Sequence, residues 1–329
     1  MNDQADTLRQ LMNQRRQSEV GDEAVAATGG SHVITVASGK GGVGKSSLSA
    51  NLGALLARQG LRVLLIDGDF GLANLDLLFN VRTEVTLEDV LEGTASIRDA
   101  VIGLEPNLWL LPAASGLREA RQWGSDSKIR LARLLESCPW EMDVILVDLG
   151  AGIHHQVLSL HHPQYHSVVV LTPEPTSLAD AYALIKRLRA DAEIERAHVV
   201  VNQVTDGREG QRVFQKLKDV AGRFLPDFGL EYLGHCERDE KFTQAVMKRK
   251  ILLDWDPGAA SIPCLELLAK RMRSSLLGWS GSEEIPKPML RARSPGVGMV
   301  SRRFKDEPAL IAPGNSTGFW RALLGEVKL

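Results

Sequence analysis

One octapeptide limits this chain to a narrow set of folds. Gly39-Lys40-Gly41-Gly42-Val43-Gly44-Lys45-Ser46 fits the phosphate-binding pattern G-x-x-x-x-G-K-[ST]. Such a loop works only between a strand and a helix, and the flanks supply both. Val33-Ile34-Thr35-Val36-Ala37 is an apolar, β-branched run that reads as a buried parallel strand. Leu48, Leu52, Leu55 and Leu56 then recur at helical spacing, with Gly60 as a stop. The glycines allow a tight turn that aims backbone N–H groups at phosphate oxygens, and the helix start adds a positive dipole end. Lys45 is expected to reach the β- and γ-phosphates, and Ser46 to place its hydroxyl on Mg²⁺. Gly39 to Ser46, with the adjacent Ser47, form the expected nucleotide cradle. Lys40 is a second cation that the pattern does not require.

The rest of the chain is consistent with an intracellular α/β protein. Its 329 residues suffice for one large or two modest domains. A net charge of −2 gives no global field for nucleic acid, so no specific nucleic-acid partner is expected. Cys138, Cys236 and Cys264 lack C-x-x-C spacing and read as free thiols rather than a disulfide frame or zinc site. The polar start Met1-Asn2-Asp3-Gln4 has no signal-peptide character, and no apolar run approaches the roughly 20 residues of a membrane span.

From His32 to about Trp279, apolar strands alternate with helical patterns. The strand candidates are Val33–Ala37, Val63–Ile66, Leu108–Leu111, Val144–Val147, Val168–Leu171, Val199–Val201 and Tyr232–Gly234. The pattern predicts a doubly wound α/β fold, a mostly parallel sheet with helices on both faces, over 32–279. Around it we expect an N-terminal helix over 1–14, a linker over 15–31, a basic Pro-rich linker over 280–315 and an amphipathic helix over 316–329.

Two more acidic segments are expected at the phosphate site. Leu64-Leu65-Ile66-Asp67 and Val144-Ile145-Leu146-Val147-Asp148 are apolar strands that end in an acid. Asp67 and Asp148 are the candidate metal-binding carboxylates, with Ser46 as their hydroxyl partner, and Asp69 can orient an attacking water. Gly150 and Gly152 predict a flexible loop beside the γ-phosphate.

Taken together these segments resemble the deviant Walker A ATPases of the MinD/ParA class. The resemblance rests on Ser38 to Ser46, on Asp67-Gly68-Asp69-Phe70-Gly71-Leu72-Ala73-Asn74-Leu75-Asp76, on Asp148 to Ile153, and on Thr172-Pro173-Glu174-Pro175-Thr176-Ser177. It implies a P-loop ATPase that binds ATP and Mg²⁺ and forms a homodimer on ATP binding. Lys40 would then contact the neighbour's nucleotide, Lys45 and Asp69 would share the catalysis, Asn74 would face the nucleotide from the first switch, and Asn202 would contact adenine. Leu149 departs from the pattern, where Thr or Ser is usual; the missing hydroxyl implies slower hydrolysis or a looser switch.

The two chain ends narrow the resemblance. Asp3-Gln4-Ala5-Asp6-Thr7-Leu8-Arg9 is similar to the activator segment of the flagellar number regulators, the FlhG or FleN type. That implies stimulation of an SRP-like flagellar GTPase of the FlhF type through Asp3–Arg9, with a flagellar transcription regulator as a further partner. Phe319, Trp320, Leu323 and Leu324 lie on one face of the terminal segment and resemble a membrane-targeting helix. The expected location is the cytoplasm, with reversible peripheral attachment to an anionic membrane surface. A cell-division or partition ATPase of the same fold and a non-hydrolysing nucleotide-binding scaffold stand as alternatives. The histidines between His154 and His166 read as a solvated polar segment.

Overall fold

A computed structural model describes residues 31–69, 73–114, 142–153, 158, 161 and 165–278. The expected N-terminal helix, the basic linker and the amphipathic terminal helix lie outside these residues. Eight strands form one sheet: β1 (His32–Ser38), β2 (Val63–Gly68), β3 (Ile102–Glu105), β4 (Leu108–Leu111), β5 (Val144–Ala151), β6 (His166–Leu171), β7 (Arg196–Val204) and β8 (Gly229–Glu237). Their order is β3-β4-β2-β5-β1-β6-β7-β8, and every pairing is parallel except β3 with β4. The chain leaves β1 toward β2 on one side and returns through β5 to β6 on the other. The sheet therefore reverses its winding beside β1, which is where ligands bind in such sheets.

The strands read as unbroken apolar runs because both faces are covered. Val33 and Ala37 of β1, Val169 and Leu171 of β6, and Val199 and Val201 of β7 enter one apolar layer. Ile34, Val36, Val168, Val170 and Val200 enter the other. Helices α5 (Pro175–Ala192) and α6 (Gly207–Phe224), with the short α3 (Leu87–Leu91) and α4 (Ile97–Ala100), close the first layer. Helices α1 (Lys45–Arg58), α2 (Leu75–Phe79), α7 (Glu240–Met247), α8 (Leu252–Trp255) and α9 (Ile262–Arg271) close the second.

Helix α1 carries the phosphate loop, so its placement matters most. Its inner face of Leu48, Leu52, Leu55 and Leu56 is buried, and a turn at Gly60 (φ 92°) ends it as expected. Gly53 lets it lie close on the sheet: a Cβ there would stand 2.6 Å from Leu65 Cδ2. Asn51 Oδ1 accepts the N–H of Leu253 at 3.1 Å and ties α1 to α8.

All seven expected strands are present, most of them longer than the apolar runs. The eighth, β3, is an antiparallel edge strand hinged on Asn107 at φ 63°. Two expectations need correction. Gly150 is not in a flexible loop: β5 runs through it to Ala151, because Ala151 still pairs with Ser38 of β1. The histidine segment is not uniformly solvated. His161 is buried and its Nδ1 lies 3.0 Å from Thr35 Oγ1 and 3.1 Å from Ser167 Oγ, in a polar group under the sheet. His166 lies in β6, its ring stacked at 5.9 Å on His32 of β1 and 6.3 Å from His198 of β7. His154, His155 and His162 lie outside the described residues.

Candidate functional site

The octapeptide bridges the end of β1 and the start of α1, at the carboxyl edge of the sheet. Gly42 (φ 79°) and Gly44 (φ 86°) adopt left-handed backbone that only glycine takes without strain. Gly44 stands at the N-cap of α1, so the helix opens directly out of the loop. Later segments pack against the loop. Asn202 Nδ2 donates to Val43 O at 2.7 Å, and Gln203 Nε2 to Gly42 O at 3.3 Å. A Cβ on Gly39 would stand 2.1 Å from the backbone oxygen of Asp180 in α5. Gly152 donates its N–H to Ser38 O at 2.8 Å, closing the second acidic loop onto the first residue before the glycines. The Asn202 side chain, expected at adenine, here holds the loop itself.

Below the loop lies a buried ion pair. Lys45 Nζ is 2.9 Å from Asp148 Oδ1, with the two side chains 6% and 1% exposed. Ser49 Oγ donates to the same oxygen at 2.8 Å. Ser49 was not singled out from the sequence, although it lies one helical turn beyond Lys45 and so on the same face. The other oxygen, Asp148 Oδ2, is buried and has no hydrogen-bond partner among the described residues. A buried carboxylate oxygen left this way costs free energy unless a cation or a bound water meets it. This open carboxylate oxygen fits a hard divalent cation here. The Ser47 carbonyl accepts from Asn51 Nδ2 at 2.7 Å.

Asp67 is paired with Asp148 in the β2–β5 register. Its oxygens take three backbone N–H groups: Asp69 at 3.1 Å on Oδ1, and Asn74 at 2.9 Å and Leu75 at 3.0 Å on Oδ2. It thus pins both ends of the 69–74 loop and the start of α2. Burial, and then the nearby Asp148 charge, push its carboxyl up to about 7. These three hydrogen bonds make Asp67 the anchor of the 69–74 loop in this structure. Asp69 also titrates above the usual carboxylate range, because burial and Asp148 outweigh the pull of Lys45. Asn74 is brought to the same corner by its backbone, while residues 70–72 between them lie outside the described residues.

Lys40 stands apart from this interior. Its ammonium, 38% exposed, is paired with Glu174 at 2.5 Å and with Thr176 Oγ1 at 3.1 Å, at the start of α5. Neither partner was singled out from the sequence as holding it, since the contact spans 134 residues. Leu149 points the other way from Asp148 and is fully buried in the layer closed by α5 and α6. A side chain at 149 therefore lies on the sheet face opposite α1, and the hydroxyl absent there is not taken from the Lys45–Asp148 pair.

A family model of the CobQ/CobB/MinD/ParA nucleotide-binding domain matches residues 34–253, the span of this sheet and its loops. The chain is a MinD/ParA-family ATPase. Among the curated relatives of this ATPase, the antiactivator FleN of Pseudomonas aeruginosa is 36% identical over 242 residues, which is 74% of this chain and 86% of FleN. The flagellum site-determining protein YlxH of Helicobacter pylori is 32% identical over 292 residues, 89% of this chain and 97% of YlxH. Among solved structures, a chain of the MinC:MinD cell division protein complex of Aquifex aeolicus is 28% identical with a TM-score of 0.60, covering 77% of the ATPase and 99% of that chain. Pyrococcus horikoshii MinD, solved with Mg-ADP, shares the fold at 23% identity and a TM-score of 0.59, covering 74% of the ATPase and 96% of that chain. No helix among the described residues of the ATPase is long and apolar enough to cross a membrane.

Proposed function

We propose that this ATPase is a dimerising switch that controls flagellar number or placement. The observation that carries the reading is the likeness to the flagellum site-determining protein YlxH over 89% of the chain, joined by the antiactivator FleN over 74%. ATP would draw Lys45 from Asp148 to the β- and γ-phosphates, and Ser46 and Asp148 would hold Mg²⁺. The cation supplies charge neutralisation at the phosphate oxygens. Asp69, whose raised pKa makes it a better proton acceptor than an ordinary surface acid, would orient the attacking water.

Lys40 would serve a second chain. Its side chain is partly exposed and, among the described residues, held by Glu174 and Thr176, a contact of modest strength in water. Exchange of that contact for a neighbour's phosphates would make turnover depend on dimerisation, as an arginine finger does. Hydrolysis would be slow and would release the dimer. Asp3–Arg9 would stimulate an FlhF-type GTPase, and Phe319, Trp320, Leu323 and Leu324 would hold the ATP-bound dimer on an anionic membrane surface, two short helices binding better than one.

The test compares the full chain with one lacking residues 1–12. Partner capture with and without ATP, partner GTPase rate and flagellar number are measured. ATP-dependent capture and GTPase stimulation that vanish with the deletion are expected. Unchanged flagellation together with unchanged partner GTPase would overturn the reading and favour a division or partition ATPase of the same fold.

A further inference from the structure

His235 and Glu237 near the end of β8 and Cys264 in the first turn of α9 form a cluster that the nucleotide site does not use. Each offers one ligand atom, and the three atoms lie within 4.8 Å of one another. Among the described residues, no other group of three histidine, cysteine or acidic side chains meets that separation. From this cluster we propose a second metal site, for a thiophilic divalent cation of the zinc class, held by His235, Glu237 and Cys264 with water in the fourth position.

The chemistry favours that class. A thiolate, an imidazole and a carboxylate select zinc-like ions over magnesium or calcium, and their two negative charges neutralise the ion. A tetrahedral ion with bonds of about 2.0–2.3 Å spaces its ligand atoms roughly 3.5 Å apart, so the three would close by at most roughly 1.3 Å through side-chain rotation.

The histidine is already oriented. Its Nδ1 lies 3.2 Å from Tyr232 Oη, a contact that fixes the plane of the ring. Helix α6 presses on the ring through two glycines: a Cβ on Gly207 would stand 2.8 Å from His235 Cε1, and one on Gly210 would stand 2.9 Å from His235 Cβ. Access exists as well, because His235 and Cys264 line a small cleft with Pro263, Leu267 and Arg271. An ion there would tie β8, which pairs only with β7 among the described strands, to α9.

Cobalt titration of the metal-free full chain tests this. One equivalent of Co²⁺ should give a thiolate-to-cobalt charge-transfer band in the near ultraviolet, displaced by one equivalent of Zn²⁺ and lost in Cys264→Ser and in His235→Gln. No band, or a band that persists in Cys264→Ser, overturns the site. A second measurement needs no variant: alkylation of Cys264, followed by mass spectrometry, should slow about ten-fold or more when Zn²⁺ is added. An unchanged alkylation rate likewise overturns it.

Discussion

Asn202 and Val43 are separated by 159 residues and joined by a 2.7 Å hydrogen bond, from the asparagine amide to a carbonyl of the phosphate loop. The amide is buried, so its loss leaves the carbonyl without that donor. Asn202→Ala should lower the unfolding free energy by about 1–3 kcal/mol. Nucleotide affinity should fall by about ten-fold, the equivalent of about 1.4 kcal/mol of lost loop organisation. Denaturant unfolding and titration with a fluorescent nucleotide check the two effects separately.

Lys45 has two tasks, and removing it should disclose both. Lys45→Met should abolish nucleotide binding and also lower stability by about 3–5 kcal/mol, because Asp148 is left charged and buried. Asp148→Asn in the same chain should restore much of the stability and none of the binding. Thermal unfolding of the two single variants and the double variant gives the coupling.

At Gly39 the obstacle is backbone rather than side chain, since an added Cβ would overlap the Asp180 carbonyl at 2.1 Å. Gly39→Ala must therefore move the loop or α5. A stability loss of about 1–3 kcal/mol is expected, with nucleotide binding impaired beyond what Gly60→Ala, in the turn after α1 and away from the loop, produces. Parallel unfolding curves and nucleotide titrations for the two variants decide it.

The histidines under the sheet set an acid limit. Burial, followed by the neighbouring His32, His198 and Arg196, lowers His166 to about 4, and burial also lowers His32 and His198. Between about 4 and the ordinary value of about 6.5 the unfolded chain binds the extra proton, so stability falls as pH falls through that window. Asp67 acts with the opposite sign, since its folded carboxyl titrates near 7 and binds a proton that the unfolded chain has released. The difference between wild type and His166→Gln cancels the Asp67 contribution. That difference should shrink on acidification from pH 7 to pH 5, as measured by urea unfolding. A constant difference would show that His166 does not titrate there.

Local signals explain what was legible in the sequence. The loop, its strand and its helix were readable because glycine spacing and apolar periodicity are properties of adjacent residues. Asp148 was readable because it ends an apolar run, and its pairing with Lys45 confirms that the run reaches the loop. Ile102-Gly103-Leu104-Glu105 was missed as a strand: it is four residues long, contains glycine and has a half-exposed edge. His161 was misread because its burial depends on Thr35, 126 residues away, and histidine composition alone does not reveal a distant hydroxyl. Glu174 and Asn202 gained their present roles in the same way, from strands brought side by side.

Nearly every group that shapes the phosphate loop is translated long after it. Asp148, Asp180, Asn202 and Gln203 follow Lys45 by more than a hundred residues. A chain emerging from the ribosome therefore exposes its glycines, Lys40 and Lys45 well before β7 exists to restrain them. Competence for nucleotide should appear abruptly during synthesis, once residues beyond Gln203 have left the exit tunnel. An arrested fragment ending before that point would carry the complete motif without the means to use it.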